Sequence, residues 1–475
     1  MYNTYNRIKG EAFILNENFD IYKYKHIHMI GIGGISMSGI AEILHNSNFI
    51  VTGSDACHSE IIDKLIQTGI KVTIGHDFMN TRKANLVVYS AAIKQDDPEL
   101  VEARKFRIPT IERGDFLGQI TKLYKDTICV SGTHGKTTTT SMVSLCFLEA
   151  EKDPTIQVGA ILKPINGNYK VGKSDYFIIE ACEYVESFLK FFPKSEIILN
   201  IDNDHLDYFK TLENIKKSFI KYVKKLPDDG LLVVNGDDKN CLDLPQYTKA
   251  TAITYGIENK NTDFYAKNLV CDGNGCYQFE VMKNNKFFEL FKLSVPGIHN
   301  VLNALACIAL CDKYGIEKEH IKNALFKFSG ANRRFEYIGQ YNGFDIYDDY
   351  AHHPTEITAL AKAASNTKHN QTWAIFQSHT YSRTYELLDE FADSLKNFDN
   401  IIITDIYAAR ETNQSGIKPQ DLVDKINEKG NNKAIYIGPF EEIAEYIRKN
   451  AKPNDLVLTV GAGTITHLGH LIRAN

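Results

Sequence analysis

One short segment, with the sequence GTHGKTT at residues 132–138, constrains this chain more than any other. It follows an apolar run at residues 127–130 and precedes a helical pattern, which is the strand–loop–helix context of a phosphate-binding loop. Its glycines let backbone N–H groups approach phosphate oxygens, Lys136 can reach the β- and γ-phosphates, and the Thr137 hydroxyl can ligate Mg²⁺. The segment is shorter than the standard phosphate-loop pattern, but it favours nucleotide binding over an ordinary strand-to-helix turn.

Alternating strand and helix patterns divide the chain into three blocks. A length of 475 residues favours about three domains. We predict a Rossmann-like first domain at residues 1–123, a central α/β domain of the P-loop ATPase type at 124–330, and a second Rossmann-like domain at 331–475. In the central block, residues 251–295 alternate like strands and are predicted to form an antiparallel appendage with a hairpin turn at 283–286. The predicted fold class is therefore α/β.

Composition excludes several classes of protein. Hydrophobic residues make up 43% and charged residues 24%, which are ordinary globular values, and the net charge of −5 disfavours a broad nucleic-acid surface. Residues 1–20 are polar, and no apolar run reaches the length of a membrane-spanning helix. We therefore expect no secretory signal, no membrane insertion and a cytoplasmic protein. Nine singly scattered cysteines predict free thiols rather than disulfides or a zinc site.

A second glycine turn, with the sequence GIGGIS, lies at residues 31–36 after another strand pattern. It is similar to a dinucleotide-binding fingerprint, but Ser36 stands where that fingerprint has its third glycine. Asp55 ends the next strand pattern, at the place of a ribose-binding acid. We interpret the turn as a helix N-terminus that holds the diphosphate of some nucleotide, and a plain tight turn is the alternative.

Two candidate metal ligands, Glu180 and His205, lie at or just after the ends of further strand patterns. Ligands gather at the carboxyl ends of the strands of a parallel sheet. The phosphate loop, Glu180 and His205 are therefore predicted to share one Mg·ATP site. An unrelated surface acid and a packed histidine are the alternative for either residue alone.

The third block carries polar residues at two strand ends. The sequence DDYAHHPTE at residues 348–356 follows the first of these strand patterns and offers candidates for contacts with ribose, carboxylate or amine groups. Arg383 follows the second strand pattern and is a candidate clamp for a carboxylate. Arg333, at the junction with the central block, is either a solvated residue or an arginine that meets phosphate when the domains close.

Four motifs occur along the chain in an order that resembles the Mur ligases. They are GTHGKTTTT at residues 132–140, DHLD at 204–207, GIHNVLN at 297–303 and DDYAHHPT at 348–355. The resemblance covers nearly the whole chain and points to the family members that add L-alanine to UDP-N-acetylmuramate. It implies a first domain that binds the UDP-sugar, a central domain that binds ATP, and a last domain that binds the amino acid and closes over the site.

The resemblance also implies roles for individual residues. Contact with ATP is implied for Gly132, Thr133, His134, Gly135, Lys136, Thr137, Thr138, His299, Asn300, Asn303, Arg333 and Asp349. Contact with the UDP-sugar is implied for Gly31, Gly33, Gly34, Ser36, Asp55 and Ser90, and contact with alanine for Tyr350, His352 and Arg383. One Mg²⁺ is implied to bind Thr137 and Glu180 and a second to bind His205, and a part in catalysis is implied for Lys136, His205 and His352.

Departures from the family pattern bear on the branch within the family. The sequence EACEYVES at residues 180–187 replaces the more usual EADESD stretch. Thr380 stands where many members have an additional arginine, which leaves Arg383 as the main carboxylate clamp. Phe219 occupies the position aligned with the carbamoylated lysine of ligases that act later, and this favours the alanine-adding branch.

The implied reaction is ATP-dependent ligation of L-alanine to the carboxylate of UDP-N-acetylmuramate through an acyl phosphate. Its products are ADP and phosphate, and its implied cofactors are ATP and Mg²⁺. The implied process is the synthesis of peptidoglycan precursors, which serves the cell wall, cell shape and cell division. The chain is expected to be a monomer or a homodimer.

Three other functions are the alternatives. A murein peptide ligase would attach a recycled peptide to the same sugar nucleotide. A nicotinamide-dependent dehydrogenase is disfavoured because the first glycine turn lacks its third glycine. A non-catalytic nucleotide-binding regulator is disfavoured because binding alone needs no second metal ligand.

Overall fold

The protein is described by a computed structural model over five segments, residues 19–90, 92–330, 332–409, 411–430 and 434–474. The prediction for the polar segment at residues 1–20 falls almost entirely outside these segments, and residue 331, the predicted start of the third domain, also lies outside them. Among the described helices, none combines the length and the apolar character that crossing a membrane requires.

The first domain is built on a parallel sheet. Its elements are β1 (His26–Ile30), α1 (Ile35–Asn46), β2 (Ile50–Asp55), α2 (Glu60–Gln67), β3 (Lys71–Ile74), β4 (Leu86–Tyr89), α3 (Pro98–Lys105), β5 (Thr110–Glu112) and α4 (Arg113–Thr121), with 3₁₀ turns at Ile21–Lys23 and Phe78–Thr81. The strands pair in the order β3-β2-β1-β4-β5. Because the strand order reverses between β1 and β4, a crevice opens beyond their carboxyl ends, where Gly31 and Ser90 lie.

Capping explains why helix α3 begins where it does. Asp97 accepts hydrogen bonds from the N–H groups of Glu99 and Leu100, and Pro98 occupies the first helical position. An aspartate at the N-cap followed by proline is a strong helix start. Helix α3 therefore begins at Pro98 and continues to Lys105.

The central domain contains a larger sheet. Its elements are β6 (Asp126–Ser131), α5 (Lys136–Glu149), β7 (Thr155–Leu162), β8 (Gly167–Lys170), β9 (Tyr176–Glu180), β10 (Ser195–Ile198), α6 (Leu206–Phe209), α7 (Leu212–Val223), β11 (Leu231–Asn235), β12 (Thr251–Gly256), β13 (Phe264–Cys271), β14 (Cys276–Lys283), β15 (Lys286–Pro296), α8 (Ile298–Lys313) and α9 (Lys318–Lys327). Short 3₁₀ helices span Lys163–Ile165, Tyr184–Lys190 and Leu244–Tyr247. The strands pair in the order β15-β14-β13-β12-β11-β10-β6-β9-β7-β8.

The antiparallel appendage is narrower than predicted. Strand β12 pairs in parallel with β11, and β13 pairs in parallel with β12. Antiparallel pairing begins only between β13 and β14 and continues to β15. The prediction of an antiparallel unit from residue 251 was therefore wrong at its start, because alternation of apolar residues reports which face is buried and carries no information on strand direction.

The hairpin turn at residues 283–286 is confirmed. Strand β14 ends at Lys283 and β15 begins at Lys286, so Asn284 and Asn285 form a two-residue connection. Their φ angles are +49° and +61°, which is the left-handed region that asparagine tolerates better than most residues. Two such residues match the twist of the flanking strands.

The last domain contains a third sheet. Its elements are β16 (Glu336–Tyr341), β17 (Phe344–Asp349), α10 (Pro354–Ser365), β18 (Thr372–Phe376), α11 (Tyr381–Glu386), α12 (Leu388–Leu395), β19 (Asn400–Ile403), α13 (Pro419–Lys429), β20 (Ala434–Tyr436), α14 (Phe440–Asn450), β21 (Leu456–Val460) and α15 (Thr466–Arg473). The strands pair in the order β16-β17-β21-β18-β19-β20, and β16 is antiparallel to β17 while the other pairs are parallel.

The buried apolar residues are distributed unevenly over the three sheets. One cluster includes Ile27 and Leu86 of the first sheet, Phe116 of α4, and Phe177 of the central sheet. The last domain has apolar clusters of its own, around residues such as Phe391. Helix α4 therefore packs against both the first and the central domain. The domain boundary near residue 123 stays a prediction.

Candidate active site

The phosphate loop connects β6 to α5 through two glycines in the left-handed region. The φ angle is +135° at Gly132 and +84° at Gly135. A Cβ atom at Gly132 would lie 3.0 Å from the Leu199 Cβ, and one at Gly135 would lie 2.7 Å from the Asn303 side-chain oxygen. Both positions therefore favour glycine. Gly135 is also the N-cap of α5, so the first N–H groups of this helix form an anion-binding terminus.

The ammonium group of Lys136 is surrounded by acceptors. It donates to the carbonyls of Gly132 at 2.6 Å and Thr133 at 3.0 Å, and its distances to the two Glu183 oxygens are 3.0 and 3.2 Å. Burial alone would lower the pKa of Lys136, but the neighbouring carboxylate of Glu183 raises it above its ordinary value. Lys136 is therefore a cation throughout the physiological pH range.

Glu180 ends β9 beside the start of α5. Its carboxylate accepts hydrogen bonds from the Thr137 hydroxyl, at 3.0 and 3.1 Å, and from the Gly159 N–H at 2.8 Å. A Cβ atom at Gly159 would lie 2.7 Å from the Glu180 carboxylate, so glycine lets β7 approach this closely. A hydroxyl and a carboxylate in contact are the hard oxygen donors that Mg²⁺ prefers, and the two side chains fit the predicted metal site.

His205 is the N-cap of α6 and lies next to Glu183. Its backbone is left-handed, with φ at +54°, and its Nε2 lies 3.8 Å from Glu183 Oε1 and 3.7 Å from Asp204 Oδ2. Burial lowers the pKa of His205 against the attraction of these two carboxylates. The imidazole is therefore neutral at pH 7, which is the form that binds metal ions.

His134 joins the central domain to the last domain. Its backbone N–H donates to the Asn200 side chain at 2.8 Å, its Nε2 lies 3.1 Å from Asp202, and its Nδ1 lies 3.5 Å from Glu356 of α10. Burial would lower the pKa of His134, but its contacts with Asp202 and Glu356 raise it to about 9. His134 is therefore a cation at neutral pH, held between carboxylates of two domains.

Two further hydrogen bonds cross the same interface. The Thr355 hydroxyl donates to Asp202 at 2.6 Å, and the His353 Nε2 lies 2.7 Å from the Asn203 carbonyl. Thr355 and His353 lie at the start of α10, while Asp202 and Asn203 follow β10. The strand ends of the central sheet are therefore in direct contact with the first helix of the last domain.

Asp349 and Arg333 lie near the start of the last domain. Asp349 accepts hydrogen bonds from two backbone N–H groups at 2.8 Å, and burial raises its pKa to about 6. Arg333 pairs with Asp348 at 3.0 Å, and its guanidinium lies over the Tyr350 ring. Arg334, the next residue, also lies over that ring and is 3.6 Å from a carboxylate of α10.

The residues predicted to meet alanine lie at the contact between the last and central domains. Arg383 donates to Asp204 at 2.9 Å and lies 3.2 Å from His379 Nδ1. His352 Nδ1 lies 3.0 Å from the Tyr350 carbonyl, and burial lowers the pKa of His352 to about 4. His352 is therefore a neutral base at physiological pH.

Two cavities receive most of the predicted residues of the central and last domains. A cavity of about 420 Å³ is lined by His134, Gly135, Thr138, His299, Asn300, Asn303 and Asp349. A cavity of about 700 Å³ is lined by Thr133, Gly135, Lys136, Thr137, Glu180, His205, Arg333, Tyr350 and His352. Gly135, Arg334 and Glu356 line both cavities, so the two spaces adjoin. Arg383 lines neither cavity but contacts Asp204, which lines the larger one.

The predicted UDP-sugar residues lie together at the crevice of the first sheet. The Gly33 N–H donates to the Asp55 carboxylate at 2.9 Å, and a Cβ atom at Gly31 would lie 3.4 Å from the Ser90 Cβ. Gly34 is the N-cap of α1, directly before the helix that carries Ser36. This arrangement is a helix N-terminus at a topological switch point, where an anion is favoured.

Strand β7 links this crevice to the larger cavity. The Ser36 hydroxyl accepts hydrogen bonds from Arg113 at 3.2 Å and from Gln157 of β7 at 3.0 Å. Two residues further along β7, Gly159 contacts Glu180. The glycine turn of the first domain and the predicted metal ligands are therefore connected through one strand.

Several residues of the site were not among the predicted ones. Arg334 and Glu356 line both cavities, Glu183 binds the phosphate-loop lysine, and Asn200 binds the loop backbone. Gln157 bonds to the first-domain turn. Asn200 follows a predicted strand and Arg334 is next to a predicted residue, so position offered a signal for these two. Glu356 and Gln157 reach the site through packing between domains, whereas Glu183 meets Lys136 within the central domain.

Three family profiles match successive parts of the chain. They are described as "Mur ligase family, catalytic domain" at residues 26–125, "Mur ligase middle domain" at residues 130–311, and "Mur ligase, glutamate ligase domain" at residues 333–463. The three matches follow the three sheets in order.

Relatives and solved structures are similar over most of their length. A UDP-N-acetylmuramate–L-alanine ligase of Acetivibrio thermocellus is 49% identical over 95% of this chain and 96% of its own. A ligase of the same name from Clostridium botulinum is 49% identical over 94% of this chain and 97% of its own. The crystal structure of the UDP-N-acetylmuramate–alanine ligase MurC from Thermotoga maritima has a TM-score of 0.76 at 30% identity, covering 95% of this chain and 98% of that chain. A murein peptide ligase from Psychrobacter arcticus, with a TM-score of 0.66 at 24% identity over 94% of this chain and 98% of its own, shares the fold.

Proposed function

This chain belongs to the Mur ligase family, and we propose that it ligates L-alanine to the carboxylate of UDP-N-acetylmuramate with cleavage of ATP to ADP and phosphate. The observation that carries the proposal is the pair of adjoining cavities on either side of Gly135. One cavity offers apolar and amide groups that suit a nucleoside, and the other gathers Lys136, Glu180 and His205. The high identity to alanine ligases supports the choice of substrates.

The first chemical step is transfer of the γ-phosphoryl group to the sugar carboxylate. A carboxylate oxygen attacks phosphorus, the bond to the β,γ-bridging oxygen breaks, and ADP leaves. Lys136, at the helix N-terminus of α5, offsets the negative charge that gathers between two anions. The product is an acyl phosphate, which has the good leaving group that a free carboxylate lacks.

The second step is attack of the alanine amine on the acyl phosphate. The carbonyl carbon becomes tetrahedral, and phosphate leaves as the amide forms. The neutral His352 is able to take the proton that the amine loses, and the Arg383 guanidinium suits the alanine carboxylate. Contacts between α10 and the central domain exclude water that would hydrolyse the acyl phosphate.

The Thr137 hydroxyl and the Glu180 carboxylate, which are in contact, would hold one Mg²⁺, and His205 would hold a second. When bound, Mg²⁺ supplies charge neutralisation for the phosphate oxygens. Because ATP and sugar nucleotides are cytoplasmic metabolites, we also propose that the protein acts in the cytoplasm. We propose that it is a monomer or a homodimer and that it serves peptidoglycan precursor synthesis.

An ADP-release assay tests the proposal. We expect ADP only when ATP, Mg²⁺, UDP-N-acetylmuramate and L-alanine are all present, and the product should carry an amide on the muramate carboxylate by mass spectrometry. Replacing L-alanine with the tripeptide L-alanyl-γ-D-glutamyl-meso-diaminopimelate separates the alanine ligase from the murein peptide ligase. Faster turnover with the tripeptide would favour the murein peptide ligase.

A further inference from the structure

Glu183 is a buried carboxylate that belongs to neither of the predicted sets of ATP or metal residues. It lies three residues after Glu180, is 2% exposed, and contacts the Lys136 ammonium with both oxygens, at 3.0 and 3.2 Å. Together with the carbonyls of Gly132 and Thr133, these oxygens place four acceptors around the three protons of the ammonium. Lys136 lines the larger cavity and Glu183 lines neither cavity, so Glu183 holds the ammonium from its buried side.

The backbone that follows Glu183 is strained. Val185 and Glu186 have φ angles of +49° and +54°, a region that non-glycine residues adopt at a free-energy cost. The Glu186 carboxylate is held by the Ser218 hydroxyl at 3.0 Å and by Lys221 at 2.8 Å. Such conformations persist where the surroundings impose them, so the position of Glu183 is imposed by the fold.

The groups that face Glu183 from other elements are Lys136 of α5 and His205 at the start of α6. His205 Nε2 lies 3.8 Å from Glu183, farther than the Lys136 ammonium at 3.0 Å, so the charge of Glu183 is balanced mainly by Lys136. If a phosphate forms an ion pair with Lys136, the buried Glu183 carboxylate lies close to a second anion. A buried carboxylate without a cation is strongly unfavourable, so another positive charge is needed at this point.

We propose that Glu183 is a positioning residue that holds Lys136 before the nucleotide arrives and makes triphosphate binding depend on a divalent cation. The inference rests on the proposed function, because it assumes that Lys136 receives the phosphates of ATP. Binding of ATP without metal places two anions, the triphosphate and Glu183, around the single cation Lys136, and a divalent cation at Thr137 and Glu180 offsets their repulsion. Metal and ATP therefore bind cooperatively, and Glu183 is the source of the coupling.

Calorimetric titration with ATP, in EDTA and in excess Mg²⁺, tests this coupling. The variant Glu183→Gln keeps the shape of the side chain and removes its charge. We expect it to bind metal-free ATP about tenfold more tightly than the unchanged protein, and to differ by less than about threefold in Mg²⁺. The variant Glu183→Asp keeps the charge and is expected to retain the strong dependence on metal.

AMP is the matched control, since it lacks the phosphates that would reach Lys136. Its affinity is expected to be the same in all three proteins, and circular dichroism melting curves check that each variant is folded. An unchanged or weaker affinity of Glu183→Gln for metal-free ATP would overturn the inference, and so would an equal gain for AMP. If the unchanged protein binds no ATP in either buffer, the proposed function fails instead.

Discussion

The two glycine turns of this protein have the same local design and different surroundings. In both, a buried strand ends in glycines at the carboxyl edge of a parallel sheet, and a helix begins directly afterwards, at α1 in one case and α5 in the other. Around the first turn lie Asp55, Ser90 and the Ser36 hydroxyl. Around the second turn lie Lys136 and residues of the last domain. The same cavity is also lined by the side chains of Glu180, Asp204 and His205.

The difference shows what converts an anion-binding turn into a reactive site. Backbone N–H groups at a helix N-terminus are sufficient to hold a diphosphate. Transfer of a phosphoryl group additionally needs a cation and metal ligands at the place where charge develops. The second turn has them and the first does not have a lysine at the matching place, so we expect substitutions at the two turns to affect different kinetic constants.

The largest effect is expected for Lys136→Ala. Removal of the cation at the second turn should lower kcat for ADP release at least about a hundredfold, because the charge at the transferring phosphate is no longer offset. A coupled assay with both substrates measures it, and Lys313→Ala, at an exposed lysine at the end of α8, is the control. Near-normal turnover of Lys136→Ala would refute the assignment of the phosphate loop.

A smaller effect is expected for Arg383→Ala, which leaves both glycine turns unchanged. Loss of a charged hydrogen-bond donor should raise the KM for L-alanine about tenfold to a hundredfold, while the KM for ATP changes little. Initial rates at varied alanine and varied ATP separate the two constants. If only the KM for ATP rose, Arg383 would belong to the nucleotide site. The variant Arg383→Lys keeps the charge and shows how much of the effect depends on the geometry of the guanidinium group.

At the first turn, Asp55→Ala should raise the KM for UDP-N-acetylmuramate about fivefold, with kcat nearly unchanged. The substitution removes the acceptor of the Gly33 N–H, and a hydrogen bond of this kind contributes about 1 kcal/mol. Initial rates at varied UDP-N-acetylmuramate measure the effect. A loss of kcat as large as that of Lys136→Ala would contradict the distinction between the two turns.

The smallest effect concerns pH and the contact of the second turn with the last domain. The pKa of His134 is about 9, above the value of about 6.5 of an unfolded histidine, so its stabilising contribution is complete below about pH 6.5 and is lost as pH rises through 9. We expect the Tm advantage of the unchanged protein over His134→Gln, about 2 °C at pH 6.5, to vanish by about pH 10. Differential scanning calorimetry at both pH values checks this, and a constant difference would show that His134 acts without its charge.

Much of the fold follows from local patterns. The strand, loop and helix around residues 127–149 and the two-asparagine hairpin depend on neighbours in sequence, and both are confirmed. The parallel pairing of β12 was not predicted because strand direction depends on where the preceding crossover places the chain.

The candidate site was predicted in the same uneven way. Residues within motifs, such as Lys136 and Glu180, line one cavity as the strand-end argument expects, although their roles stay predictions. Gln157 could not be found from sequence, since it contacts the first-domain turn from another domain and belongs to no spaced pattern. Glu356 lies in the predicted segment at residues 348–356, but its contact with His134 depends on how the last domain packs against the central one. Arg333 lines only the larger of the two cavities, whereas Arg334 lines both. Sequence position alone does not distinguish these two neighbouring residues.

The apolar cluster shared by the first and central domains has a mechanical consequence. Since Leu86 and Phe177 belong to one buried cluster, the first and central sheets share an apolar core. The last domain, with its separate apolar clusters, approaches through hydrogen bonds such as that between His353 and Asn203. Under the proposed function, the two substrates of the phosphoryl transfer are bound by domains that share an apolar core, whereas the amine is bound by a domain whose apolar clusters are separate.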